Sequence, residues 1–111
     1  MTPFRWESRC LSDDPFAWDF GDGEVLLANK MVTNRKGGTC HHCAGECEPG
    51  TRNRVIREAC DGSIDTYRFC QSCSFGMAVY DIRPSILDAR IALGDERRAR
   101  TALASLTGEG L

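Results

Sequence analysis

Two short cysteine motifs decide the fold predicted for this chain: Cys-His-His-Cys at residues 40–43 and Cys-Gln-Ser-Cys at residues 70–73. Two residues between cysteines allow a tight turn, here called a knuckle, that points both sulfurs toward one ion. A second knuckle beside the first completes a tetrahedron, which Zn²⁺ accepts because its filled d shell imposes no other geometry. The motifs therefore predict a structural Zn²⁺ site that is closed to further ligands. Its four predicted ligands are Cys40, Cys43, Cys70 and Cys73.

The remaining cysteines and the two histidines leave alternatives open. The chain has seven cysteines, and an odd number cannot pair completely within one molecule. Cys47 follows the first knuckle closely and could compete as a ligand, although a small buried thiol is the favoured interpretation. Cys10 and Cys60 have no predicted role. His41 or His42 could replace one cysteine, and either cysteine pair could instead be a redox dithiol.

The segment between the motifs predicts a β-hairpin. Residues 51–59 and 63–69 are strand-like and flank Asp61-Gly62, which is a strong signal for a tight turn between antiparallel strands. Pro49-Gly50 predicts a turn before the first strand. The hairpin would return the chain to the first knuckle, so that the second knuckle lies beside it.

Residues 39–75 resemble the small zinc-ribbon-like proteins common in bacteriophages and prophages. The family pattern joins two Cys-x-x-Cys motifs through a Pro-Gly turn and a hairpin with an aromatic-Asp-Gly turn; here Cys60 stands where the aromatic Trp is usual. The resemblance implies a structural zinc ion and a phage-like setting, but no particular activity. The residues that carry it are Cys40, Cys43, Pro49, Gly50, Arg54, Val55, Asp61, Gly62, Thr66, Tyr67, Cys70 and Cys73.

The N-terminal section, residues 1–38, is aromatic and acidic. Phe16, Trp18 and Phe20 alternate with other residues, which predicts a short strand, and residues 24–28 could return as a second one. Aromatic side chains dominate binding hot spots, so these three together with Trp6 form a candidate partner-binding patch. The alternative is that they pack in the core or at a sheet edge.

The C-terminal section, residues 76–111, predicts helices. One helix over residues 75–82 would end before Pro84, and a second would begin at Ser85 with a capping box. Gly94-Asp95 predicts a helix stop, followed by a last helix with a small apolar stripe. That stripe could dock on this domain, on a second copy to form a homodimer, or on a partner. Together the three sections predict one α+β domain over residues 1–111, with a zinc-ribbon or treble-clef-like knuckle and hairpin.

Composition and charge restrict the cellular location that we expect for this protein. The net charge is −2, and no stretch approaches the roughly 20 apolar residues of a membrane span. The first nine residues lack the apolar run of a secretory signal, so we expect a cytoplasmic protein, in the host cell if phage-encoded. Large apolar residues are few for this length, which suggests that a metal contributes part of the stability.

The motifs favour a binding protein over an enzyme. Both histidines lie in the first knuckle, and no nuclease, deaminase or phosphate-loop pattern accompanies them, so no catalytic residue is predicted. We expect a protein-interaction module that modulates a host protein, such as a component of a defence or transcription complex. The alternative is a nucleic-acid-binding zinc ribbon that uses Arg52, Arg54 and Arg68 on the hairpin.

Overall fold

The computed structural model describes residues 5–12, 25–60 and 62–107, and over these ranges the chain is a mixed α+β protein. The three described strands form one antiparallel sheet in the order β1-β2-β3. In chain order the elements are α1 (Trp6–Ser12), β1 (Val25–Thr33), β2 (Arg52–Cys60), β3 (Ser63–Phe69), α2 (Gln71–Ala78) and α3 (Pro84–Thr107). Helices α1 and α2 pack against strands of this sheet and α3 packs on α2, and the α+β fold class predicted from the sequence is confirmed.

The predicted hairpin is present as β2 and β3. Its register runs from Cys60 opposite Ser63 to Arg54 opposite Phe69. Gly62 has a φ of 83°, a left-handed conformation that glycine adopts without steric cost. Because β3 ends at Phe69, the hairpin delivers Cys70 directly to the second knuckle.

The first strand is longer than the sequence suggested. A short strand was predicted over residues 24–28, but β1 continues to Thr33 and pairs with β2 on the side opposite β3. The register shifts between Leu26 and Ala28, which marks a β-bulge. The strand predicted around Phe16, Trp18 and Phe20 lies outside the described residues.

The helix α1 was not anticipated from the sequence. Its residue Trp6 meets Phe75 of α2 edge-on, with ring centroids 6.0 Å apart, and Cys10 is fully buried with its sulfur 3.9 Å from that of Met77. An ion pair between Arg52 and Glu7 ties α1 to the start of β2. The amphipathic signal in seven residues is too short to distinguish such a helix from a loop.

The predicted break at Gly94-Asp95 is wrong, because α3 is continuous from Pro84 to Thr107. Proline is well suited to a first helical position, where its missing N–H costs nothing. The helix therefore begins one residue before the predicted cap at Ser85. Gly94 is buried inside the helix, where a Cβ would overlap the carbonyl oxygen of His42. This glycine permits a close approach between α3 and the first knuckle rather than ending a helix.

The core is small and rich in cysteine, as the shortage of large apolar residues suggested. Apolar packing around the cysteines comes chiefly from Ile56, Phe69, Met77 and Leu87, all buried. By contrast, Leu103 and Leu106 near the end of α3 are 61% and 85% exposed. Among the described helices, none is long and apolar enough to cross a membrane.

Candidate metal centre

The first knuckle is closed by backbone hydrogen bonds around Cys40. The Cys40 amide donates to the carbonyl of Gly45, and the Ala44 amide donates back to the carbonyl of Cys40. Ala44 has a φ of 55°, so this turn holds a non-glycine residue in the left-handed region. The cost of that conformation is offset by the two bonds that fix the knuckle.

The second knuckle lies where β3 meets α2. Cys70 directly follows β3, and Cys73 lies in the first turn of α2. The Ser74 amide donates to the carbonyl of Cys70. The amide of Cys70 also donates to the sulfur of Cys40, at 3.3 Å. A backbone donor of this kind stabilises negative charge on a sulfur.

The four motif cysteines converge on one point and are all buried. Their sulfurs all lie within 4.8 Å of one another, and the sulfurs of Cys43 and Cys70 are 3.7 Å apart. A tetrahedral zinc ion with Zn–S bonds of about 2.3 Å places sulfurs about 3.8 Å apart. Within the described residues, this is the one group of three or more metal-ligating side chains brought together. The cluster can hold a metal ion such as zinc.

The electrostatics of the cluster favour a cation. Hydrogen bonds from Cys40 and Cys73 lower the pKa of the Cys70 thiol, whereas the pKa values of Cys40 and Cys73 are raised by their sulfur neighbours. Sulfurs this close cannot all carry negative charge unless positive charge lies among them. A divalent ion held in the centre of the group would supply that charge.

Arg90 of α3 adds positive charge at the edge of the cluster. Its guanidinium lies 3.3 Å from the sulfur of Cys43, 3.5 Å from that of Cys73 and 3.8 Å from that of Cys70. The hydrogen bond with Cys73 raises the pKa of Arg90, which stays charged. The sequence offered no signal for this role, because an arginine on a helix is usually a solvated residue.

Two further arginines of α3 fasten the helix to the first knuckle. Arg97 donates to the carbonyl of Cys43 at 3.0 Å, and Arg98 donates to the carbonyls of His41 and His42. The guanidinium of Arg97 occupies the space in which a side chain at Gly45 would lie. Together with the close approach at Gly94, these contacts make α3 part of the wall of the metal centre.

Neither histidine belongs to the cluster, so the alternative in which one replaces a cysteine is not supported by the geometry. His41 meets the ring of Tyr67 edge-on at 4.9 Å, and His42 packs 4.7 Å from Phe69. Burial lowers the pKa of both imidazoles, that of His42 to about 4. The histidines therefore pack as neutral rings that support the knuckle from its outer side.

Of the three cysteines outside the cluster, the structure describes the side chains of Cys47 and Cys10. Cys47 is fully buried beside the cluster but outside it, and burial raises its pKa to about 12. This agrees with the interpretation of Cys47 as a packed, protonated thiol. Cys10 is buried where α1 packs on α2. The side chain of Cys60 lies outside the described residues.

The three hairpin arginines predicted as an alternative nucleic-acid surface do not form one face. Arg54 is only 1% exposed, because α2 covers it and its guanidinium donates to Asn29 and to the sulfur of Met77. Arg52 is held by Glu7 in a two-pronged ion pair. Arg68 borders an open groove, which it shares with Arg97 and Arg98 of α3.

Of the four residues in the candidate aromatic patch, Trp6 is the one that the structure describes. Trp6 is half-buried against Phe75, which is a packing role. Phe16, Trp18 and Phe20 lie outside the described residues, so the patch remains a prediction.

Comparison with known proteins adds no relative: no family model, no curated protein and no solved structure matches this chain. The resemblance to phage zinc-ribbon-like proteins accordingly rests on the motif residues alone. What the structure supports is the class: a small α+β protein with a buried four-cysteine cluster that can hold a metal ion such as zinc.

Proposed function

We propose that this chain binds one zinc ion through Cys40, Cys43, Cys70 and Cys73, and that the ion is structural. The observation that carries the proposal is the buried cluster whose sulfurs have the spacing of a tetrahedral S₄ site. Four protein ligands leave no position for a substrate or water, which is the hallmark of structural rather than catalytic zinc. The metal would join the hairpin, α2 and the first knuckle into one unit.

Metal analysis tests this proposal, because tetrahedral sulfur sites take either zinc or iron. We expect about one zinc per chain in the purified protein, and an intense sulfur-to-metal absorption band after replacement with Co²⁺. A protein that contains no metal, or that stays fully folded after the metal is removed, would overturn the proposal.

We also propose that the protein works by binding a partner protein and not by catalysis. In this view the zinc-held body presents an interaction surface, and the exposed Leu103 and Leu106 of α3 supply its apolar anchors. They lie three residues apart and therefore close together on the helix surface. The phage-like motif suggests that the partner is a host protein, for instance a component of a defence or transcription complex that this chain modulates. Self-association through α3 is the competing use of the same surface.

Two measurements on one variant pair distinguish these uses. We expect Leu103→Glu with Leu106→Glu to abolish capture of a host protein that the wild-type chain retains, whereas Arg100→Gln on the same helix keeps it. Light scattering across a concentration series measures self-association in the same samples. A leucine-dependent homodimer would replace the host-protein proposal, and capture that is unaffected by the leucine changes would contradict it.

A further inference from the structure

An open groove runs between the C-terminal half of α3, the strand β3 and the first knuckle. Its cavity volume is about 730 Å³, within the range of about 300–1,000 Å³ that is usual for ligand sites. We call it the α3–β3 groove and define it by His41, Tyr67, Arg68, Arg97 and Arg98. We propose that this groove binds single-stranded nucleic acid, through phosphate contacts with the arginines and base stacking on the rings.

The charge of the groove is opposite to that of the whole chain. Three arginines line it and, among the described residues, no carboxylate does, although the protein has a net charge of −2. Cys40 also lines the groove, and four thiolates on a zinc ion would carry two negative charges nearby. Arg98 also pairs with the exposed carboxylate of Asp95 at 3.6 Å, and Arg90 offsets part of the charge of the cluster. The three groove arginines and Arg90 therefore exceed Asp95 and a zinc-bound cluster by one positive charge.

The three arginines are held in position before any ligand arrives. Arg97 donates to the carbonyl of Cys43, Arg98 to the carbonyl of His41, and Arg68 to the side chain of Asn53 at 3.3 Å. A guanidinium has five N–H donors in a planar fork, so these bonds fix its orientation and leave further donors for phosphate oxygens. Less side-chain entropy is then lost when an anion binds.

Aromatic rings and hydroxyl groups complete the site. The rings of His41 and Tyr67 meet at 79°, so the two rings present differently oriented surfaces to the groove. Thr66 and Thr101 line the same walls, and hydroxyls are frequent partners of sugars and phosphates. Basic grooves interleaved with aromatic rings are the usual arrangement for binding single strands.

Unpaired bases suit this groove better than a duplex does. Stacking on a protein ring requires an exposed base face, which a duplex hides within its own stack. The leucine surface of α3 adjoins this groove on one side, since Leu106 follows the groove residue Ala102 by one helical turn. Arg68→Gln and Tyr67→Leu, both on β3, therefore test the groove without changing the leucine surface.

Fluorescence anisotropy on the zinc-loaded full chain tests the proposal with a labelled oligo(dT) and oligo(U) as probes. We expect salt-sensitive binding that weakens several-fold in Arg68→Gln and in Arg98→Gln, with the salt slope reduced by about 0.7 for each lost phosphate contact. Tyr67→Leu keeps the apolar bulk but removes the stacking ring, and we expect a loss of about 5-fold or more. Arg57→Gln is the matched control, since Arg57 is exposed on β2 outside the groove.

Every other outcome overturns the assignment. Equal affinity for a duplex or for heparin would indicate general polyanion binding, and competition by a mononucleotide at equal affinity would indicate a small-molecule site. Loss in Arg57→Gln as large as in Arg68→Gln would show that the groove is not used. Zinc content measured on each variant separates these results from unfolding. A protein that holds one zinc per chain but does not bind the oligonucleotides would contradict this inference and leave the metal proposal intact.

Discussion

The Nη2 atom of Arg90 lies 3.3 Å from the sulfur of Cys43, across 47 residues of sequence, and thereby joins α3 to the first knuckle. The same guanidinium also reaches the sulfurs of both cysteines in the second knuckle. Arg90 thus hydrogen-bonds to predicted ligands from both motifs. Its position makes it the outer partner of the candidate metal centre.

Arg90→Gln should weaken zinc binding without removing the site. The variant loses the positive charge that offsets the thiolates, and losing an outer-shell partner typically lowers metal affinity about 10–100-fold. Competition with a coloured chelator measures the affinity. Arg100→Gln is the control, because Arg100 is exposed and pairs with Glu96 away from the cluster. Equal affinities in the two variants would contradict the role assigned to Arg90.

Gly94→Ala should lower stability, although alanine is normally the better helix residue by about 1 kcal/mol. A Cβ at this position would overlap the carbonyl of His42, and forced overpacking usually costs about 1–3 kcal/mol. We therefore expect a net loss in the free energy of unfolding, measured by urea denaturation, together with weaker zinc binding. The control is Ala99→Gly at an exposed position of α3, which measures the change in stability due to helix propensity alone. A gain in stability for Gly94→Ala would show that α3 does not approach the knuckle this closely.

The four-cysteine cluster could be predicted from the sequence because the chemistry that selects its members is local. Two residues between cysteines set the knuckle, and Asp61-Gly62 sets the turn that brings the second knuckle to the first. The first knuckle is joined to the hairpin by the His41 amide, which donates to the carbonyl of Arg68 on β3 at 2.8 Å. Neither the knuckle turn nor the Asp-Gly turn depends on how distant elements pack.

The surroundings of the site could not be predicted, since they arise from long-range packing. Gly94 is compatible with both a helix stop and a close contact, and the sequence does not distinguish them. Arg54 has the period-two position of a solvated strand residue, yet α2 folds over that face and buries it. Arg90 carries no motif, because its partners Cys73 and Cys43 lie 17 and 47 residues away in the chain.

The ion pair between Glu7 and Arg52 should make the anchoring of α1 depend on pH. The hydrogen bond from Arg52 holds the pKa of Glu7 below its ordinary value, so the pair stabilises the fold above the unfolded pKa of about 4.3. That contribution is lost as the pH falls through the lower folded value. We expect Glu7→Gln to lower Tm at pH 7, and the difference from wild type to shrink toward pH 4 and below.

Acid also weakens zinc binding by thiolates, but it does so in both proteins, and the difference between them isolates the pair. Asp81→Asn serves as a comparison, because Asp81 is 80% exposed and receives a single bond from Arg9. We expect a smaller change in Tm for that variant at pH 7. A Tm difference for Glu7→Gln that grows as the pH falls would contradict a lowered pKa for Glu7 in the folded state.

Cys70→Ser should lower the metal content and Cys47→Ala should leave it unchanged, although both replace a buried cysteine in or beside the cluster. Cys70 is one of the four converging sulfurs, so its loss leaves three ligands and we expect zinc to fall well below one per chain. Metal binding and folding are coupled, by on the order of 10 kcal/mol in zinc-finger peptides, so this variant should be largely unfolded.

Cys47 lies outside the cluster, and its protonated thiol contributes packing. We expect Cys47→Ala to keep one zinc and to lose about 1 kcal/mol of stability. Loss of zinc from Cys47→Ala with retention in Cys70→Ser would exchange the roles of the two thiols, and metal analysis with circular dichroism on both variants decides between them.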